Sequence, residues 1–157
     1  MPRVRRIVTG HTPEGRPAIV EDAVCPHVRT TAGARVADLW TYQGGPRNDG
    51  AYADPVGPDV PLPPPAGGGT LRVVEFGPRE PGEEPYTHRT DSLDYAVVLT
   101  GEIVAVVGTD ETVMRPGDVL IQRGTGHAWD NRSEAPCTLL FVLLDAAPLT
   151  GHPRETP

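Results

Sequence analysis

Apolar residues fall in short runs along the chain, most of them four to eight residues long and separated by glycine, proline or charged residues about every ten positions. That rhythm predicts short strands joined by tight turns, the signature of an all-β sandwich or barrel. Residues 16–24 and 35–43 read as two strands, the second weighted by Val36, Leu39, Trp40 and Tyr42. From residue 70 the signal is denser. Strands are expected over 70–76, 86–90, 91–100, 103–108, 109–115, 117–122, 127–131 and 136–145. The run LLFVLL within the last has the apolarity of a buried helix, but its shortness and the flanking Pro136 and Pro148 favour a buried strand. In Arg115-Pro116-Gly117-Asp118 the proline suits the second turn position and the glycine the third.

Composition sharpens this picture. Proline (19) and glycine (18) approach the levels of low-complexity chains. Their distribution argues for punctuation, because they concentrate at turns and in one stretch, residues 54–69. The polar segment 44–69 around that stretch is too long for an ordinary connection. It reads either as a mobile surface loop or as an ordered cover over a pocket. The expected organisation is residues 1–69 as N-terminal strands and loop, 70–147 as the barrel and 148–157 as a tail.

The length of 157 residues suits one domain with its own core. The net charge of −7, with every basic residue an arginine, shows no basic face for nucleic acid. No apolar run is long enough to span a bilayer, and no apolar signal segment follows the basic start. A cytoplasmic location is the expectation. Cys25 and Cys137 are far apart and read as reduced thiols, Cys137 packed in an apolar strand.

Polar residues within apolar strands need a reason, and a barrel interior that holds a small ligand supplies one. His88 and Thr90 are two apart and share a face if their segment is extended. Asp94 opens the next strand, and His127 follows the glycine-rich turn 123–126. Trp129 shares the parity of His127, and Tyr86 and Gln122 also fall at plausible inward positions. Each has a plainer reading: hydrogen-bonded pocket histidines, a carboxylate that orients an imidazole or holds a strand end, a structural threonine, a core tryptophan. Asp91 is expected at the surface and Asn131 in a turn role. Arg123 reads as an exposed turn arginine that could attract an anion, and His11, His27 and His152 as residues without a role. No nucleophile elbow, phosphate loop, dinucleotide fingerprint or HExxH motif is present.

The spacing of these residues resembles the two motifs of the cupin family, G(X)5HXH(X)3–4E(X)6G and G(X)5PXG(X)2H(X)3N. Gly82, His88, Asp94 and Gly101 fit the first, with Thr90 where the second histidine belongs and Asp94 in place of glutamate. Gly117, Gly124, His127 and Asn131 fit the second, with Gln122 in place of proline and one spacer a residue short. The resemblance covers about residues 71–145. It implies a double-stranded β-helix, the jelly-roll barrel, with extra N-terminal strands that add to the barrel or swap within a homodimer.

The resemblance also implies a divalent metal ion (Fe, Mn, Ni or Zn) on His88, Asp94 and His127, a set weakened by the missing imidazole at Thr90. Tyr86, Thr90, Gln122 and Trp129 would contact substrate. The resulting expectation is a small metal-dependent enzyme acting on an organic acid, an enol, or a polyketide- or aromatic-type metabolite. It would decarboxylate, dehydrate, isomerise or cyclise its substrate through an enolate. If no metal binds, a histidine would serve as acid or base with Asp94 fixing its tautomer. The alternatives are an Fe(II) dioxygenase and a non-catalytic small-molecule-binding barrel. The fold alone selects among none of these.

Overall fold

A computed structural model describes residues 3–31, 33–48 and 50–150. His152 and most of the expected tail, residues 151–157, lie outside the described residues. Eleven strands and no helix make up the described residues. They are β1 (Arg5–His11), β2 (Pro17–Val24), β3 (Val28–Thr31), β4 (Ala34–Tyr42), β5 (Gly69–Phe76), β6 (Ser92–Thr100), β7 (Ile103–Val107), β8 (Asp110–Met114), β9 (Val119–Arg123), β10 (His127–Asp130) and β11 (Cys137–Asp145). The all-β expectation holds, and no described helix is long and apolar enough to cross a membrane.

All strand pairs are antiparallel. Six strands form one sheet in the order β3-β4-β5-β11-β6-β9, three form a second in the order β10-β7-β8, and β1 and β2 make a separate hairpin. Strand β11 sits at the centre of the large sheet, which explains its nearly continuous apolar run. Its inward residues Leu139, Phe141 and Leu143 pack with Val36, Val74, Ala96 and Val98 of the same sheet and with Ile103 and Ala105 of β7. This apolar filling lies between the two sheets. The turn before β9 is built as expected, with Asp118 N–H donating to the Arg115 carbonyl at 2.9 Å and Gly117 at a φ of 95°. Cys25 and Cys137 are free and buried.

Three expectations are corrected. Residues 86–90 form no strand; only an isolated bridge joins His88 to His127, because Pro81, Gly82 and Pro85 break the preceding segment and leave one residue in register. Asp91 is not a surface residue; its carboxylate lies 3.2 Å from the Arg89 guanidinium and is largely buried. His27 is not idle, since its Nε2 lies 2.8 Å from Asp54. Two strands, β1 and β3, were not foreseen.

Segment 43–68 connects strands that are paired with each other, β4 and β5. It is tied down at several described positions. Tyr52 stacks on Trp40 and its hydroxyl donates to Glu21, Val56 is buried, and the Pro61 and Leu62 carbonyls accept from Arg72. Leu62 also reaches a cavity in the barrel, so this segment is an ordered cover with one edge on that cavity.

Candidate functional site

A half-open cavity of about 1070 Å³ lies in the barrel. Strand pairing sets which residues stand level with one another, and of the two rows that follow, Leu143, Asp94, Arg72 and Phe141 reach the cavity. Thr70, Leu143, Asp94 and Gln122 stand in one cross-strand row, and Asp38, Arg72, Phe141 and Ala96 in the next. Successive inward positions on one face therefore pass from polar residues at one end of the sheet to Val36, Val74, Leu139 and Val98 at the other.

Two histidines meet at this cavity from different segments. The backbones of His88 and His127 exchange hydrogen bonds of 3.0 and 2.9 Å, so one bridge fixes both imidazoles. Their ring centroids are 4.3 Å apart and tilted by 56°. His127 Nδ1 lies 3.0 Å from the Thr125 carbonyl, which can only accept; Nδ1 therefore carries the proton and Nε2 a free lone pair. Burial and the neighbouring His88 ring push the His127 pKa down to about 4, and burial lowers that of His88. Both rings are neutral near pH 7. His88 Nδ1 is buried without a hydrogen-bond partner.

Asp94 lines the same cavity and is only 6% exposed. Burial pushes its pKa up to about 6, against the opposing effects of the Ser92 hydroxyl and the Arg72 charge. The Thr90 and Ser92 hydroxyls are 2.7 Å apart and either can donate. Thr90, Ser92 and Asp94 thus lie in one polar chain. The other carboxylate oxygen, Asp94 Oδ1, has no partner.

Trp129 points inward as its parity implies and meets Phe141 edge-on at 5.4 Å, while Phe76 stands 6.4 Å from both. These three rings form an apolar wall beside the imidazoles. Tyr86 stacks on His88 at 5.2 Å but is 75% exposed, which puts it at the mouth. Gln122 is buried next to Asp94 but does not line the cavity; its amide points toward the Thr125 carbonyl at 3.4 Å. Its expected substrate contact is therefore corrected to a backing position. Asn131 takes its turn role, donating to the Phe76 and Ala135 carbonyls and accepting from Ser133. Arg123 is exposed, as expected.

The implied metal ion would need at least three converging donors at this cavity. Among the described residues no group of three or more His, Cys, Asp or Glu could hold one. The imidazole pair supplies two donors. The position of a third imidazole is Thr90, whose hydroxyl is committed to Ser92, and Asp94 is held from the same chain. The residues present do not assemble the three-ligand set that the resemblance implies.

Arg72, Ser92, Phe76 and Phe141 were missed from sequence. Arg72 could have been found, because a charge at an inward position of the apolar run TLRVVEF carries the same signal that singled out Asp94. Phe76 and Phe141 look like any core aromatic, and only the open space beside them marks them out.

A family model described as a cupin domain matches residues 72–143. Oryzines biosynthesis cluster protein J of Aspergillus oryzae is 32% identical over 170 residues, covering 98% of this chain and 89% of that protein. Cupin-domain-containing oxidoreductase fogC of Aspergillus ruber is 33% identical over 154 residues, covering 91% of this chain and 73% of that protein. Phomopsin biosynthesis cluster protein C' of Diaporthe leptostromiformis is 45% identical over 94 residues, or 59% of this chain, and the chain spans about half of its length, 47%. Among solved structures, the cupin domain of Cnp3 from Schizosaccharomyces pombe superposes with a TM-score of 0.56 at 14% identity, covering 90% of this chain and 87% of that one, a likeness of fold.

Proposed function

The chain belongs to the cupin family, and we propose that it is an enzyme of small-molecule metabolism that moves a proton between carbon and oxygen of an enolisable substrate bound in the barrel. One observation carries this reading: a neutral imidazole with its lone pair fixed and a buried carboxyl of raised pKa line the same aromatic-walled cavity. The biosynthesis-cluster names of relatives support small-molecule metabolism.

The roles follow from the protonation states. His127 Nε2 removes a proton from the carbon next to a carbonyl, and the Asp94 carboxyl gives its proton to the carbonyl oxygen. A C–H bond breaks, an O–H bond forms, and the product is the enol; the reverse steps restore both side chains. The Thr90–Ser92 chain holds Asp94 in position, and the aromatic wall keeps water from the carbon. Dehydration, isomerisation or cyclisation can follow from the enol. The oxidoreductase name of some relatives favours a second reading, in which the same groups manage protons while an external acceptor takes an electron pair from the substrate.

Deuterium exchange tests the proposal. The protein is incubated in D2O with a panel of enolisable aromatic and polyketide-type carbonyl compounds, and label at carbon is read by mass spectrometry. Exchange above background is expected for the wild type and for chelator-treated protein. His127→Ala and Asp94→Asn should each lose it by about 100-fold, the scale of general acid–base catalysis. The rate should rise through about pH 4 as His127 loses its proton and fall through about pH 6 as Asp94 loses its own. Exchange abolished by chelation and restored by a metal ion, or equal exchange in wild type and both variants, would overturn it.

A further inference from the structure

The inner end of the cavity carries unsatisfied polar atoms of both kinds. Asp94 Oδ1 is an acceptor without a donor, and Arg72 Nε is a donor without a hydrogen-bonded acceptor. Both side chains line the cavity and are more than nine-tenths buried, Arg72 at 3% exposure. Arg72 Nε lies 3.1 Å from Asp38 Oδ1, yet neither atom makes an aligned hydrogen bond. Native interiors rarely leave such groups unpaired, so each one calls for a partner.

The chemistry of that partner is restricted. A carboxylate ligand usually engages both edges of an arginine. Here each terminal nitrogen of Arg72 already gives one of its two N–H groups to the cover, to the Pro61 and Leu62 carbonyls at 2.9 and 3.4 Å, which fixes the guanidinium and leaves Nε and one N–H on each terminal nitrogen. Arg29, the next arginine on the wall, donates to Asp38 at 3.1 Å. A ligand carboxylate also has no proton to give Asp94, and it would pass the exposed Glu80, Glu83 and Glu84 at the mouth. A hydroxyl meets both requirements, since it donates to a carboxylate and accepts from a guanidinium or an imidazole. The aromatic wall of Phe76, Trp129 and Phe141 lies beside these groups, and Arg29, Arg35 and Arg79 also reach the cavity.

We infer that the site selects neutral aromatic or conjugated compounds bearing a hydroxyl group, a phenol or an enol, with that hydroxyl on Asp94, and that it discriminates against carboxylates of the same shape. The inference rests on the proposed function only in using the same cavity, where the hydroxyl is the enol end of the keto–enol pair.

Binding of a matched series at pH 7.5 tests it: 2-naphthol, 2-naphthoate and naphthalene, followed by calorimetry and by tryptophan fluorescence. Naphthol should bind at least tenfold more tightly than either of the others, the scale of one hydrogen bond to a charged group. Asp94→Leu should remove that preference while keeping naphthalene binding, which shows that the cavity survives. Asp94→Asn, which retains an acceptor oxygen, should keep part of it. Tighter binding of naphthoate, or a naphthol preference unchanged in Asp94→Leu, would overturn the inference. Naphthol selectivity without any deuterium exchange would instead sink the catalytic reading and leave this one standing.

Discussion

At the scale of single residues, burial sets the chemistry. Asp94 ionises reluctantly because it sits in the barrel wall with one donor, Ser92, and one oxygen unpaired. The consequence for stability has a definite sign. The pKa is raised on folding, so the burden appears as pH climbs from 3.8 through about 6 and the buried carboxyl becomes charged. The gap corresponds to about 3 kcal/mol. Asp94→Asn keeps the shape and the Ser92 hydrogen bond without the charge. It should therefore stabilise the protein by up to about 3 kcal/mol in urea unfolding at pH 8 and leave it unchanged near pH 3.5. Equal effects at both pH values would show that the carboxyl is not buried as described. Sequence reading reached Asp94 and both histidines through motif spacing, and Trp129 through parity. It misplaced Gln122, because inward parity does not distinguish a residue that faces open space from one packed behind its neighbour.

The same division between local and long-range information appears at the scale of elements. β2, β4, β5 and β11 were legible because β-branched and aromatic residues fill runs bounded by turn residues. β1 was not, since RRIVTGH reads as a basic start, and its place depends on partners far along the chain. Arg6 is buried in the first hairpin and donates to Glu21, to Asp54 and to the Leu39 carbonyl. Ile7 and Ile19 of that hairpin face outward. The hairpin is therefore held to the barrel by an ionic cluster more than by apolar burial, and two strands alone are marginal in water. Arg6→Ala removes the guanidinium that Glu21 and Asp54 share and leaves them with the Tyr52 hydroxyl and the His27 ring. It should cost about 3 kcal/mol and expose the 12–16 turn to limited proteolysis, whereas an unchanged cleavage pattern would refute this account of how the hairpin docks. The segment 86–90 failed in the opposite way: its composition suits a strand, but a single bridge to His127 is all that the preceding prolines and glycine allow.

On the scale of the whole molecule, the site exists only because distant segments close on one another. His88 comes from an irregular stretch, His127 from the edge of the small sheet, and Asp94, Arg72 and Phe141 from three adjacent strands of the large one. Motif spacing singled out His88, Asp94 and His127, but the three-ligand set it implied is not assembled among the described residues. Composition left segment 44–69 open between a mobile loop and an ordered cover, and it could not show that carbonyls of the cover take one N–H from each end of Arg72. Nuclear magnetic resonance of the side chains tests the account most directly, by following the His127 ring nitrogens and the Asp94 carboxyl carbon through a pH titration. The account predicts His127 in the Nδ1–H form, protonating only near pH 4, and Asp94 titrating near pH 6. An imidazole of mixed tautomers titrating near 6.5, beside a carboxyl titrating near 3.8, would contradict it.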